Sequence, residues 1–221
     1  MQNIKYVFFD LDGTIFNSQS GISRSVKYAL EKFGMGDPGD YILRAFVGPP
    51  LKDSFKKFFG FSDEKAEKAI EYYREYYSRE GIFKGYPYEH IDDLLRIVKR
   101  MGLKSVLATS KPEEYAKRII EHLEFTDLFY HIAGADFAGE RIDKAAVIRY
   151  AINTLGIDNR EEILMVGDRK YDVIGAHDVG IRVAGVLYGF GTEAELRSVE
   201  CDYLAKDMRE LLCVIKNLSG L

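Results

Sequence analysis

The feature that most restricts the fold of this chain is a series of short apolar runs, closed by turn residues, at 6–9, 105–108, 131–133, 163–166 and 182–187. None alternates strictly between apolar and polar side chains, which is the pattern of strands covered on both faces of a parallel sheet. Stretches with helical spacing lie between them, at 113–123, 144–155 and 172–179. Alternation of this kind predicts an α/β fold, with right-handed crossovers assembling a parallel sheet flanked by helices on both faces. Any site then belongs beyond the carboxyl ends of the strands.

The rhythm breaks once. Between 18 and 81 no strand pattern occurs, only helical spacing at 21–33, 41–47, 51–58 and 63–77. An all-helical insertion after the first strand is expected, with hinges at 15–19 and at 81–88, where Gly81, Gly85 and Pro87 interrupt the pattern. A chain of 221 residues has room for it, since one domain takes about 100–200 residues. Tyr72, Tyr73, Tyr76 and Tyr77 recur at helical spacing near Phe55, Phe58, Phe59 and Phe61. They read as core of the insertion before they read as a surface for stacking a nucleobase.

Charge and composition remove several classes. The net charge is −4 and the basic residues are dispersed, so no face for a nucleic-acid polymer is expected. The apolar run near the start is far too short for a signal peptide or a membrane span, and a cytoplasmic location without membrane association follows as the expectation. Cys201 and Cys213 sit in apolar surroundings and read as buried thiols without a redox role. His90, His122, His131 and His177 lack partners at metal-binding spacing.

The chemistry-bearing segments all follow predicted strands. Asp10-Leu11-Asp12-Gly13-Thr14 places two carboxylates at a strand end, and Gly13 permits a sharp turn that brings backbone N–H groups toward an anion. Two carboxylates alone would repel a phosphate, so a divalent cation and a basic group are required. Asp168 and Asp172 after the run 163–166 supply a second acidic pair of hard oxygen ligands suited to Mg²⁺. Thr109-Ser110-Lys111-Pro112-Glu113 follows another run; Ser110 with Glu113 has the form of a capping box, and the Thr109 and Ser110 hydroxyls could donate to phosphate at that helix start. Lys144, heading the helix at 144–155, is the best-placed cation, with Lys111 as the substitute.

These segments, in this order, resemble the haloacid dehalogenase superfamily, in particular its capped phosphoglycolate-phosphatase-like and 5′-nucleotidase-like phosphatases. The segment 44–51 in the insertion and Gly185 to Gly191 are similar to parts of the same members. The resemblance implies a Rossmann-like core at 1–16 and 84–221 with a helical cap at 17–83. It implies that Asp10 attacks phosphorus and that Asp12 protonates the leaving oxygen and later deprotonates water. Gly13, Thr109, Ser110 and Lys144 would hold the phosphoryl group, and Asp10, the backbone carbonyl of Asp12, Asp168 and Asp172 would hold Mg²⁺. The carboxylate at position 12 favours phosphate over carbon–halogen substrates, because a halide needs no protonation. A small phosphorylated metabolite is the expected partner, phosphoglycolate or a nucleoside 5′-monophosphate being equally compatible. A phosphosugar mutase of the β-phosphoglucomutase kind and a catalytically silent binding module are the alternatives. A monomer is the default expectation, with a dimer left open.

Overall fold

The computed structural model describes residues 3–137, 141 and 143–220. In chain order the elements are β1 (Tyr6–Phe9), β2 (Phe16–Asn17), α1 (Gln19–Glu31), α2 (Asp40–Arg44), α3 (Leu51–Phe59), α4 (Asp63–Arg79) and β3 (Tyr86–Pro87). They continue as α5 (Ile91–Arg100), β4 (Lys104–Pro112), α6 (Glu113–His122), β5 (His131–Ala135), α7 (Lys144–Leu155) and β6 (Ile163–Gly167). The last are α8 (Lys170–Val179), β7 (Arg182–Val186), α9 (Glu193–Arg197), β8 (Tyr203–Ala205) and α10 (Met208–Ser219). Two compact units result, Met1–Phe16 with Pro87–Leu221 and Asn17–Tyr86.

The first unit is built on a six-stranded sheet in the order β5-β4-β1-β6-β7-β8, parallel throughout. β1 lies between β4 and β6, with Phe9 opposite Leu107 on one side and Val166 on the other. Strand order therefore reverses at β1, the point in an open parallel sheet where ligands bind beyond the strand ends. Phe8, Val106, Met165 and Val183 pack with Val147, Ile148, Val173 and Ala176 of α7 and α8. Their neighbours Val7, Leu107 and Leu164 are equally buried, and α5 and α10 pack on the sheet as well. Burial on both faces is why these runs do not alternate.

The second unit is helical. α1 buries Ile22, Val26, Ala29 and Leu30 at helical spacing, and it packs on α4, which also meets α3. Ser62 caps α4, its hydroxyl accepting from the Lys65 amide at 3.2 Å. Phe55 stacks on Phe61, and Phe46 packs on Phe55, with all three buried. Tyr73 stacks on Tyr77 in the same interior. Gly21 and Gly81 touch: a Cβ on Gly21 would run into the Gly81 carbonyl oxygen. At the limits of the unit, the Asn17 amide donates to the Tyr86 hydroxyl at 3.1 Å, and β2 and β3 form a two-stranded ribbon.

Three short strands carried no sequence signal, and the expectation for the two cysteines needs correction. The ribbon β2–β3 and the edge strand β8 have too few residues to show a periodicity. Cys213 is exposed and Cys201 only partly buried. On α10 the buried residues are Leu211 and Ile215, and position 213 lies between them on the opposite side of the helix. No helix among the described residues is long and apolar enough to cross a membrane.

Candidate active site

The site grows from the ends of three adjacent strands. β1 continues into Asp10, whose amide donates to the Val166 carbonyl at 2.9 Å. The chain then turns: Thr14 and Ile15 both donate to the Leu11 carbonyl, and Gly13 adopts φ +87°. A side chain at Gly13 would be strained by that backbone conformation, and its Cβ would also collide with the Asp168 carboxylate.

Asp10, Asp168 and Asp172 each offer a carboxylate oxygen within 4.8 Å of the others, the one such metal-capable group among the described residues. All three are buried. Oδ2 of Asp168 accepts from the backbone N–H groups of Phe190 at 2.6 Å and Gly191 at 3.3 Å, while its Oδ1 is buried without a hydrogen-bond partner. Burial raises the Asp168 pKa well above the ordinary carboxylate value, and the nearby Asp172 and Asp10 charges add to the rise. Burial also raises Asp172, against the opposing pull of Lys144. An orphaned buried carboxylate oxygen and three hard oxygen donors with excess negative charge fit a divalent cation.

Lys144 is the cation already in place. Its ammonium lies 2.7 Å from Asp10 Oδ1 and 2.8 Å from Asp172 Oδ1, and donates to the Ala108 carbonyl at 3.0 Å. Burial works against this charge, but the two carboxylates outweigh it and hold the lysine above its ordinary pKa. The side chain is delivered by the first residue of α7, whose start is fixed by Asp143 accepting from the Ala146 amide at 2.7 Å.

At the end of β4 the ladder is irregular: Thr109 pairs with Gly134, and the next pair is Pro112 with Ala135. Ser110 and Lys111 are thus surplus residues on a bulge, a device that re-aims side chains. Thr109 is buried and Ser110 exposed. Lys111 turns inward, its ammonium 2.9 Å from Asp12 Oδ2. The expected Ser110–Glu113 capping box does not form, because α6 begins at Glu113 with Pro112 as its N-cap. The reason is local: a residue before proline is pushed to extended backbone, so Lys111 cannot enter a helix. Glu113 instead faces the Gly134 amide and Arg141.

Of the residues expected at the site, Asp10, Asp168, Asp172 and Lys144 are brought into direct contact range. The Asp12 carboxylate is engaged by Lys111 rather than by that group. Three contributors were not expected. They are the Lys111–Asp12 pair, the Phe190 and Gly191 amides on Asp168, and the Tyr188 hydroxyl, which donates to the Thr14 carbonyl at 3.2 Å. Glycines at 185, 189 and 191 were the one visible signal; the contact they permit is tertiary.

Comparison with known proteins gives the family. The chain is 36% identical over 211 residues to a 5′-nucleotidase of Pseudomonas aeruginosa, covering 96% of this chain and 95% of that protein. It is 37% identical to the tyrosine-protein kinase PtkA of Mycobacterium tuberculosis over 84% of this chain, which spans only 62% of that protein. The crystal structure of a predicted phosphatase from Clostridium acetobutylicum superposes with a TM-score of 0.92 at 41% identity, covering 99% of this chain and all of that one. The family described as haloacid dehalogenase-like hydrolase matches residues 7–186, a span that holds every carboxylate and both lysines of the site, and the chain belongs to that family.

Proposed function

We propose that the chain is a Mg²⁺-dependent phosphatase that hydrolyses a small phosphomonoester through an aspartyl-phosphate on Asp10. One observation carries this reading: the carboxylates of Asp10, Asp168 and Asp172 and the ammonium of Lys144 converge at the carboxyl ends of adjacent parallel strands. A divalent cation held by Asp10, Asp168, Asp172 and the Asp12 carbonyl would offset the charge of phosphate and carboxylates. Asp10 forms the bond to phosphorus as the ester P–O bond breaks, and Asp12 gives its proton to the departing oxygen. In the second half, Asp12 takes a proton from the water attacking phosphorus, the Asp10–phosphorus bond breaks, and orthophosphate leaves. Lys144, Thr109 and the backbone at Gly13 hold the phosphoryl group, whose largely dissociative transfer depends mainly on positioning and charge. The all-helical unit is assigned the part of a cap that selects the leaving group, phosphoglycolate-like or nucleoside-like.

Assay of the purified protein with p-nitrophenyl phosphate, with Mg²⁺ and with chelator, tests this directly. Release of orthophosphate only with the metal, abolished in Asp10→Asn, is expected. Full activity in Asp10→Asn would overturn the covalent route. Phosphate recovered on a sugar or tyrosine hydroxyl rather than in water would replace hydrolysis by transfer.

A further inference from the structure

Glu195 stands outside the group of three carboxylates and Lys144, and its side chain reaches the segment that carries two of those carboxylates. It is the third residue of α9, and its amide donates to the Thr192 hydroxyl at 3.1 Å, the cap bond that opens this helix. Its Oε1 accepts from Nε of Arg169 at 2.8 Å and from the backbone amide of Lys170 at 3.0 Å. The Arg169 and Glu195 side chains are 19% and 21% exposed, whereas those of the Arg197–Glu193 pair on the same helix are 66% and 50% exposed. Exposed pairs contribute little. The Glu195 contacts are sheltered, and one oxygen fixes two groups.

Residues 169 and 170 are the joint between two of the metal-capable carboxylates. Asp168 precedes them, just after β6, and Asp172 follows in the first turn of α8. One tie on this joint is Asp172 Oδ2, which accepts from the Arg169 amide at 3.0 Å. Glu195 adds its ties from a different helix. The Lys170 amide is among the donors that the start of α8 cannot pair internally, and a carboxylate there suits the positive end of the helix. Without Glu195, that amide and the Arg169 guanidinium lose a common partner, and the backbone between the two carboxylates can shift. We propose that Glu195 is a positioning residue of the metal site, holding the turn 168–172 so that Asp168 and Asp172 present their oxygens together. This rests on the Mg²⁺-dependent phosphatase reading and adds to it a residue beyond the cation's own ligands.

Calorimetric titration of the metal-free protein with Mg²⁺ tests this independently of turnover. Glu195→Ala should bind Mg²⁺ about 10–100-fold more weakly, the range for lost partners of metal ligands. Glu195→Gln, which keeps an oxygen acceptor, should recover most of the affinity. Glu193→Ala, on the same helix but with its pair in solvent, should bind as the parent does. With p-nitrophenyl phosphate, the Mg²⁺ concentration for half-maximal rate should rise in Glu195→Ala by the same factor. Its kcat at saturating Mg²⁺ should stay within about threefold of the parent, a split that general loss of structure would not give. Unchanged Mg²⁺ affinity in Glu195→Ala overturns the assignment and leaves the phosphatase reading intact. A parent that binds no Mg²⁺ overturns the metal reading itself, and this proposal with it. Should Glu195→Ala not fold, amide hydrogen exchange of the parent decides. Saturating Mg²⁺ should slow the Lys170 amide at least about tenfold more than the amides of α10, since coupling between two sites is reciprocal. Equal slowing overturns the proposal.

Discussion

The backbone amide of Phe190 donates to Oδ2 of Asp168 over 2.6 Å, so the loop after β7 fixes a carboxylate at the end of its neighbour β6. Gly191 adds a second, longer bond to the same oxygen. A Cβ on Gly191 would overlap the Asp168 carbonyl oxygen, and Gly191→Ala must therefore displace the loop. Since partners that orient a metal ligand typically matter about 10–100-fold in affinity, Mg²⁺ binding by calorimetry should weaken by that order while the far-UV circular dichroism is unchanged. Unaltered Mg²⁺ affinity would mean that the clamp does not orient Asp168.

The same carboxyl should link metal binding to pH. Burial and the neighbouring carboxylates raise the Asp168 pKa in the folded, metal-free protein. The folded state then keeps a proton at pH values where the unfolded chain, with a carboxyl pKa of about 4, has lost it. Stability without metal falls as pH rises from that value through the folded pKa, and a bound cation replaces the proton. The increase in Tm on replacing chelator with Mg²⁺ should therefore grow with pH across this window. A pH-independent increase would exclude the linkage.

Removing the ammonium of Lys144 leaves Asp10 and Asp172 buried without their common counter-charge. Breaking a buried pair in this way costs about 3–5 kcal/mol, and Lys144→Met should show that loss in urea denaturation of the metal-free protein. Phosphatase turnover should fall about 100-fold or more, as for other lost electrostatic stabilisers. A variant that is both stable and active would remove Lys144 from the site.

The two thiols should react in a fixed order. Cys201 donates toward the Tyr203 carbonyl at 3.2 Å, and burial pushes its pKa up to about 11. At pH 8 only about one Cys201 in a thousand is then thiolate, whereas Cys213 is exposed. Iodoacetamide labelling followed by mass spectrometry should mark Cys213 first and Cys201 mainly after unfolding. Equal labelling of the native protein would contradict the packing around Cys201.

What could be read from the sequence follows the range of the forces involved. β1, β4 and β6 are central and covered on both faces, so each writes an uninterrupted apolar run. β8 is a three-residue edge strand whose Tyr203 and Leu204 are only partly buried, and it leaves no such mark. Asp10, Asp168 and Lys144 were visible because each is anchored to the end of a regular element. The Lys111–Asp12 pair was not, because it depends on a bulge set by the register of β4 against β5. The capping-box reading of Ser110 overlooked what Pro112 does to the residue before it.

Asn17 and Tyr86, where the helical unit begins and ends, are hydrogen-bonded to each other, and Gly21 touches Gly81 just inside them. The ends of a long insertion are thus held together by contacts internal to it. For the rest of the chain, the whole unit is equivalent to a tight turn between two paired residues, and the loop-closure entropy of its length falls on its own packing. Such an insertion can lengthen, shorten or be exchanged with little effect on the stability of the sheet.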